Sequence, residues 1–384
     1  MAKLVQGFKQ AFFIKKEPSF NSKQDISAAD GVMLTEMTIE PNQTFSENES
    51  HLGSASAVGP GVKGKFEGTF SISGHMQVPS SGTPDQLDAG LKALLEAAFG
   101  SEKSSSATEL SYESDDENPK SLTLVKAAGD GFMAIASGAV VTSLEFEITG
   151  GSVPGFTASG NFCNYSYCYG AEAASTPASG DASITLAASS EGKLSEGAKI
   201  KVGGDDNGGA GYEVTGVDGT TVAISPALQG SPADASIAAS YPQPATASDI
   251  LDGVSCSLEI DGAAIGFISG KVTLNTGNLL NSAEATSATA TSAGKGKREL
   301  SGEVSVYFSD ENAAYVGKSL SGATHEIAIQ AGTEAGKKCK LTLGNARIEP
   351  VVASIPGQDV ATADMSFVGY QKNSPGDELE FKIS

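Results

Sequence analysis

The sequence predicts a mainly β protein: two tandem antiparallel β-sandwich or sheet modules, each with a flanking α-helix, and a small inserted β-domain between them. Three observations carry this. Residues 65–74, "KFEGTFSISG", and 299–308, "ELSGEVSVYF", alternate apolar and polar residues and place a glycine, Gly68 or Gly302, in the same slot. Alternation of this length marks a half-buried antiparallel strand. Two further segments recur around that pair in the same order. The composition adds 46 glycines, no tryptophan and 18% charged residues, which supplies turns and small side chains rather than helical charge periodicity.

The chain opens "MAKLVQGFKQAFFIKKEPSF". Its apolar stretch is interrupted by Lys9 and Gln10 and stops at Lys15 and Lys16, with no small-residue cleavage site after it. That is not the pattern of a secretory signal, and no run approaches membrane-spanning length. The expectation is a soluble chain that stays, at first, in the cell that makes it. Residues 1–30 are taken as an N-terminal segment.

Residues 31–172 are the first module. "EMTIEPNQTF" at 36–45 is a short strand entering an Asn-containing turn. In the next strand Phe66, Gly68, Phe70 and Ile72 share one face, and Lys65, Glu67, Thr69, Ser71 and Ser73 the other. "TPDQLDAGLKALLEAAFG" predicts a helix with Thr83 as N-cap, Pro84 at the first helical position and Gly100 after its end. Leu87, Leu91, Leu94, Leu95, Ala98 and Phe99 form one apolar stripe for packing on a sheet. "GFTASGNFCNY" at 155–165 closes the unit.

Residues 246–384 repeat this plan. "KVTLNTGNLL" at 271–280 parallels 36–45, and Leu300, Gly302, Val304, Val306 and Phe308 share a face opposite Glu299, Ser301, Glu303 and Ser305. "DENAAYVGKSL" at 310–320 is a shorter helix. "DVATADMSFVGY" at 359–370 shares Thr-Ala, three residues and Phe with the first closing segment. Met37 to Gly68 spans 31 positions and Val272 to Gly302 spans 30. Three segments in one order at like spacing argue for a tandem duplication. The aligned glycine predicts a bulge or a backbone passing close by.

Residues 173–245 differ. "ASITLA", "AKIKVGG", "GYEVTGV", "TTVAISP" and "ASIAASY" are strand signals separated by turns such as 205–209, "DDNGG", and Asp218-Gly219. The flanking "AEAASTPASG" and "YPQPATAS" have linker composition. This predicts a compact β module displayed on the surface as decoration.

The formal net charge is −21, which repels nucleic-acid phosphates and anionic headgroups. Cys163 and Cys168 are five apart and face opposite ways in an extended strand, so they cannot bridge; with Cys256 and Cys339 they are expected to be buried free thiols. No catalytic set emerges. His51, His75 and His325 lie in unrelated segments, and no nucleophile elbow surrounds a serine. "GFISGKVTL" around Lys271 has Ile265 where a phosphate-binding loop needs its first glycine. "GGDDNGG" lacks the closing glutamate of a calcium loop and is a tight turn, and "ESDDEN" at 113–118 is a solvated loop. The expectation is no enzyme, no metal and no cofactor.

Duplicated sheets with open edges are completed by a neighbour, and head-to-tail contacts close into rings or extend into filaments. The loops at 46–64 and 281–297, rich in Gly, Ala, Ser and Thr, are suited to ordering against a partner.

The second unit, "SLEIDGAAIGFISGKVTLNTGNLLN", "GKRELSGEVSVYFSDENAAYV", "LTLGNARIEP" and "DMSFVGY", resembles the tail tube (major tail) proteins of long-tailed bacteriophages. "SGAVVTSLEFEITGGSVPGFTASGNF" and the opening "FFIKKEPSFNS" resemble the two-module members of that family. The resemblance covers nearly everything outside 178–242. It implies a homotrimeric ring with pseudo-sixfold symmetry, stacked into a hollow tube through which phage DNA leaves the capsid. The sheets would join into a barrel lining the lumen, with tape measure, tail terminator and tail tip proteins as partners, in a virion assembled in the host cytoplasm. Candidate lumen-facing residues are Glu67, Thr69, Ser71, Glu299, Ser301, Glu303 and Ser305. Candidate inter-ring contacts on the long loops are Phe45, His51, Leu52, Leu279 and Leu280. The alternative is a modular β binding or adhesion protein of a phage tip or cell surface, with the insert as its recognition element.

Overall fold

In a computed structural model of the protein, residues 9–46, 62–114, 119–283, 287–309, 313–354, 360–373 and 376–384 are described. The fold is mainly β. One antiparallel sheet runs through both halves in the order Glu36–Glu40, Gly68–His75, Gly155–Phe162, Met133–Thr149, Phe267–Asn275, Glu299–Tyr307, Thr362–Gly369. Thr362–Gly369 is flanked in turn by the end of Cys339–Ile348 and by Val352–Ser354. The first four positions and the last four therefore repeat one order, so the duplication lives in the pairing as well as in the sequence.

Each half also has a second sheet, reached by its long strand. In the first half it is Gln10–Lys16, Leu122–Ala128, Met133–Thr149, Asn164–Cys168. In the second it is Cys256–Ile260, Thr324–Ala331, Cys339–Ile348, Glu380–Ile383. Gln10–Lys16, assigned from sequence to a leading segment, is thus the counterpart of Cys256–Ile260 and part of the first unit. The hairpin of Gly100–Ser106 and Glu109–Ser114 crosses the division, because Glu109–Ser114 pairs with Glu380–Ile383. The apolar faces of these sheets and the Ala89–Phe99 helix enclose one core shared by the halves, including Leu94, Phe99, Leu144, Phe146, Val272 and Phe381.

The first helix begins later than its sequence signals. Thr83 and Pro84 open a short 3-10 turn, Pro84–Gln86, and Leu87 is extended at φ −56°, ψ 144°. The α-helix, Ala89–Phe99, starts after Asp88, whose side-chain Oδ1 accepts from Ala247 N at 2.7 Å, a tie across the chain that fixes the backbone there. The expected stripe of leucines is nevertheless buried, Leu87 included. The second helix is Ala314–Ser321.

The inserted domain is a six-stranded sheet in the order Ala171–Glu172, Ser236–Ala239, Lys199–Val202, Tyr212–Asp218, Thr221–Ser225, Ser183–Thr185. It is not hung on linkers. Its core, with Ile200, Tyr212, Val214 and Ile224, is continuous with Ala11, Phe13, Val125, Ala127, Met133 and Ile135 on the outer face of the first half's second sheet. Tyr241, in a predicted linker, packs edge-on against Phe13 at 6.3 Å and donates to Gly129 O. Lys201 pairs with Asp130 at 2.6 Å, and Tyr169 N donates to Lys193 O at 2.9 Å. The corresponding face of the second half carries the rows Ser257, Gln330, Lys340, Lys382 and Glu259, Ala328, Thr342, Glu380. One half presents apolar surface that needs a cover and the other presents charge, which accounts for a single insert in a duplicated chain.

Candidate functional site

The through-running sheet has one buried face and one polar face, and the register places residues of both halves in transverse rows on the polar side. One row is Thr38, Ser71, Ser159, Ser143, Asn275, Glu299; the next is Glu36, Ser73, Thr157, Glu145, Thr273, Ser301, Val368. A third contains Glu147, Lys271, Glu303 and Ser366, and a fourth Thr149, Ser269, Ser305 and Asp364. The sequence candidates Thr69, Ser71, Glu299, Ser301, Glu303 and Ser305 therefore lie on one common face. Glu67 precedes its strand but reaches the same face, accepting from Asn161 Nδ2 at 2.9 Å.

Acidic residues missed from sequence, Glu145, Glu147 and Asp364, complete this surface. Their signal was present as alternation within Met133–Thr149 and Thr362–Gly369. Lys271 sits among them, 2.8 Å from Glu145 Oε1; the hydrogen bond to Glu145, reinforced by the charge of Glu145, Glu147 and Glu303, raises its pKa. Ser305 Oγ donates to Asp364 at 2.6 Å. The result is a hydrophilic, predominantly acidic wall.

The repeated glycines serve the buried side of this sheet. Gly68 is directly opposite Phe162, and Gly302 directly opposite Phe367. A Cβ on Gly68 would lie 2.1 Å from the Phe162 ring, and one on Gly302 would lie 2.3 Å from the Phe367 ring. Neither glycine is a bulge. The close approach predicted from sequence is principally that of a cross-strand aromatic ring.

The two halves meet at a seam where Ser143–Thr149 pairs with Ser269–Asn275 over seven positions. Beyond it Ile268 O accepts from Gly150 N at 2.8 Å. The same two strand types end the sheet among the described residues: there Glu36–Glu40, counterpart of Phe267–Asn275, pairs with Gly68–His75 alone, and Val352–Ser354, in the place of Ser143–Glu145, pairs with Thr362–Gly369 alone. At the first of these edges Met37 O, the equivalent of Ile268 O, accepts from Lys126 Nζ at 2.7 Å.

The long loops behave differently in the two halves. In the second, Asn278–Leu280 pairs with Ala293–Lys295 and lies on the first half of the same chain. Asn278 Nδ2 donates to Val141 O at 3.0 Å, Phe66 N donates to Ala288 O at 2.9 Å, and Leu280 and Ala290 pack with Val140, Cys163 and Phe20. Leu280 is 8% exposed, which corrects its assignment as an inter-ring contact: it is committed within the chain. Leu279 is 44% and Phe45 65% exposed. His51 and Leu52 lie outside the described residues.

Cys163, Cys168 and Cys339 are buried free thiols as expected, and Cys256 is half-buried. Burial pushes the Cys163 thiol up to about 12 and Cys168 to about 11, so neither is a reactive thiolate near neutrality.

No protein-family model matches the chain, and no curated protein matches it. Among solved structures, the chain is similar in part to one from the tail of an empty GTA particle determined with helical refinement and C6 symmetry. The two share 16% identity over 31% of this chain and 92% of that chain, with a TM-score of 0.22. A likeness of this extent carries no argument about function.

Proposed function

We propose that the chain is a non-enzymatic, structural subunit of a phage-type tail, which assembles with copies of itself into rings that stack as a hollow tube for DNA. The internal seam is the observation that carries this reading. A sheet that joins its own two halves edge to edge, and ends in the same two kinds of edge, has the geometry to join the next chain in the same way. Three chains of two halves make a ring with pseudo-sixfold symmetry. Main-chain hydrogen bonds supply such a contact without requiring particular side chains, which suits a chain whose repeats share pattern more than identity.

The polar face would then line the lumen. Its carboxylates repel phosphate, so DNA slides without being gripped, and the repulsion acts within roughly 8–10 Å of the wall at physiological salt. Tape measure, terminator and tip proteins would bound the tube in a virion assembled in host cytoplasm.

Negative-stain electron microscopy of the purified protein across concentration and salt tests this reading. Rings of threefold or sixfold appearance, or hollow tubes, are the expected result. Dispersed monomers at every concentration, including in the presence of preformed tail tips, would overturn it.

A further inference from the structure

A turn at 205–211 connects Lys199–Val202 to its partner strand Tyr212–Asp218 in the inserted domain. We propose that the Asn207–Gly208 link in this turn is a site of spontaneous covalent modification, at which Asn207 of the folded protein deamidates through a cyclic imide. The site is independent of ring formation.

Such a closure needs a main-chain nitrogen able to attack, a side-chain amide carbon beside it, and no side chain in the way. Asn207 is followed by glycine, and both residues have left-handed backbone, at φ 52° and 68°. Asparagine and glycine are the residues that enter this region routinely. Gly208 is exposed, and a Cβ there would meet nothing within 4 Å, so a five-membered ring has room to close. The amides around it are held: Asn207 N by Asp205 Oδ1 at 3.2 Å, Gly209 N by Asp206 Oδ1 at 3.0 Å, and Gly211 N by Asp206 O at 2.7 Å. Gly208 N, the one that must lose its proton, has no acceptor among the described residues. Asn207 Nδ2 is held by a single long bond, to Gly211 O at 3.3 Å.

Asn21 is the internal contrast. It too is left-handed, at φ 58°, but Ser22 follows it, and Ser22 N donates to Ser19 O at 3.1 Å. Its side-chain oxygen is fixed by Ser137 Oγ at 3.2 Å and Asn164 Nδ2 at 2.8 Å. The same backbone region is closed to this reaction at Asn21 and open to it at Asn207.

The step balances with water alone. Gly208 N gives its proton to solvent and bonds to Asn207 Cγ, the Cγ–Nδ2 bond breaks, and ammonia leaves with a proton taken back from water. One water then opens the imide at either carbonyl. The product is aspartate, or isoaspartate with the main chain routed through Cγ. Either adds a negative charge beside Asp205 and Asp206 and removes the donor to Gly211 O. Isoaspartate also inserts one more carbon into the connection, so the turn changes shape with the age of the protein.

The test uses the folded parent protein, held in a warm, mildly alkaline buffer and sampled over time. Samples are digested at acidic pH and read by mass spectrometry. The expected result is a gain of about 1 Da at Asn207, appearing at least about tenfold faster than at Asn21. Isoaspartate is counted separately by methyl transfer from S-adenosylmethionine with an isoaspartyl methyltransferase, a signal that Asn207→Ser should remove. The same incubation in denaturant gives the rate of the unrestrained chain. Conversion at Asn207 no faster than at Asn21, or a rate in the folded protein more than about tenfold below that in denaturant, would overturn the proposal.

Discussion

Phe162 lays its ring over the backbone of Gly68, in the register that Phe367 and Gly302 repeat in the second half. A strand glycine exposes backbone and packs nothing, and a cross-strand aromatic restores the lost cover. This pairing explains why an alternating strand is written twice with a hole at one position.

Replacing either glycine with valine should therefore destabilise the fold by about 1–3 kcal/mol, the usual cost of overpacking, because the ring has to move. Phe162→Ala or Phe367→Ala should cost about 3–5 kcal/mol. Denaturant unfolding followed by circular dichroism measures both. Glycine variants as stable as the parent would show that the rings relocate freely.

The insert should not be removable on its own. Deleting 178–242 uncovers Ala11, Phe13, Val125, Ala127, Met133 and Ile135 together, and a patch of that kind drives association. The deleted protein is expected to aggregate. Adding Phe13→Ser, Val125→Gln and Ile135→Lys, residue types borrowed from the polar row Ser257, Gln330 and Lys340 on the corresponding face of the second half, should restore solubility. Size-exclusion chromatography separates the outcomes, and a soluble simple deletion would mean that the insert covers nothing essential.

Lys126 holds the acceptor that, in the proposed ring, would receive a neighbour's amide. While its ammonium occupies Met37 O, the Glu36–Glu40 edge is partly closed to another strand, a familiar way of keeping an edge from uncontrolled pairing. Pro41, which has no N–H, follows this strand and guards the same margin. Lys126→Met keeps the length of the side chain without its donors. It should shorten the lag before assembly and lower the threshold concentration by light scattering. An unchanged lag would show that the lysine does not compete with a partner strand.

The repeat was legible because alternation and turn chemistry are local: Gly68, Gly302 and the Thr-Ala-to-Phe spacing all fell in corresponding strands. Register was not local. Aligning Met37 with Val272 suggested matched pairing, yet Val272 faces Gly302 while Met37 faces Ile72, four positions beyond Gly68. An even slip keeps every side chain on its own face, so alternation could not reveal it. The insert's attachment was hidden for a similar reason. Phe13, Val125 and Ile135 lie in strands buried on both faces, and a continuous apolar run does not say what covers its second face. The polar wall was half visible, since Glu299 and Glu303 stood in a clean alternating strand while Glu145 lay in a long strand shared by two sheets.

Acid should loosen the insert through Asp205. Its carboxylate accepts from Tyr212 OH at 2.7 Å and Gly230 N at 3.0 Å through Oδ2, and from Asn207 N at 3.2 Å through Oδ1. The Tyr212 hydrogen bond, with these amides, holds its pKa below the ordinary 3.8. A group whose pKa is lowered by folding stabilises the fold above its unfolded value and loses that contribution as pH falls through the folded value. The ionised partner set is worth about 1–3 kcal/mol as hydrogen bonds to a charged acceptor. Asp205→Asn retains an oxygen for Tyr212 but has no charge to lose. The parent should thus be the more stable protein at neutral pH, and the difference should shrink as pH falls below 3.8. Near-ultraviolet circular dichroism of the tyrosines, followed against temperature at each pH, reads this directly in a chain without tryptophan. A stability difference that stays constant from neutral pH to pH ~2 would show that the ionisation of Asp205 does not hold this loop.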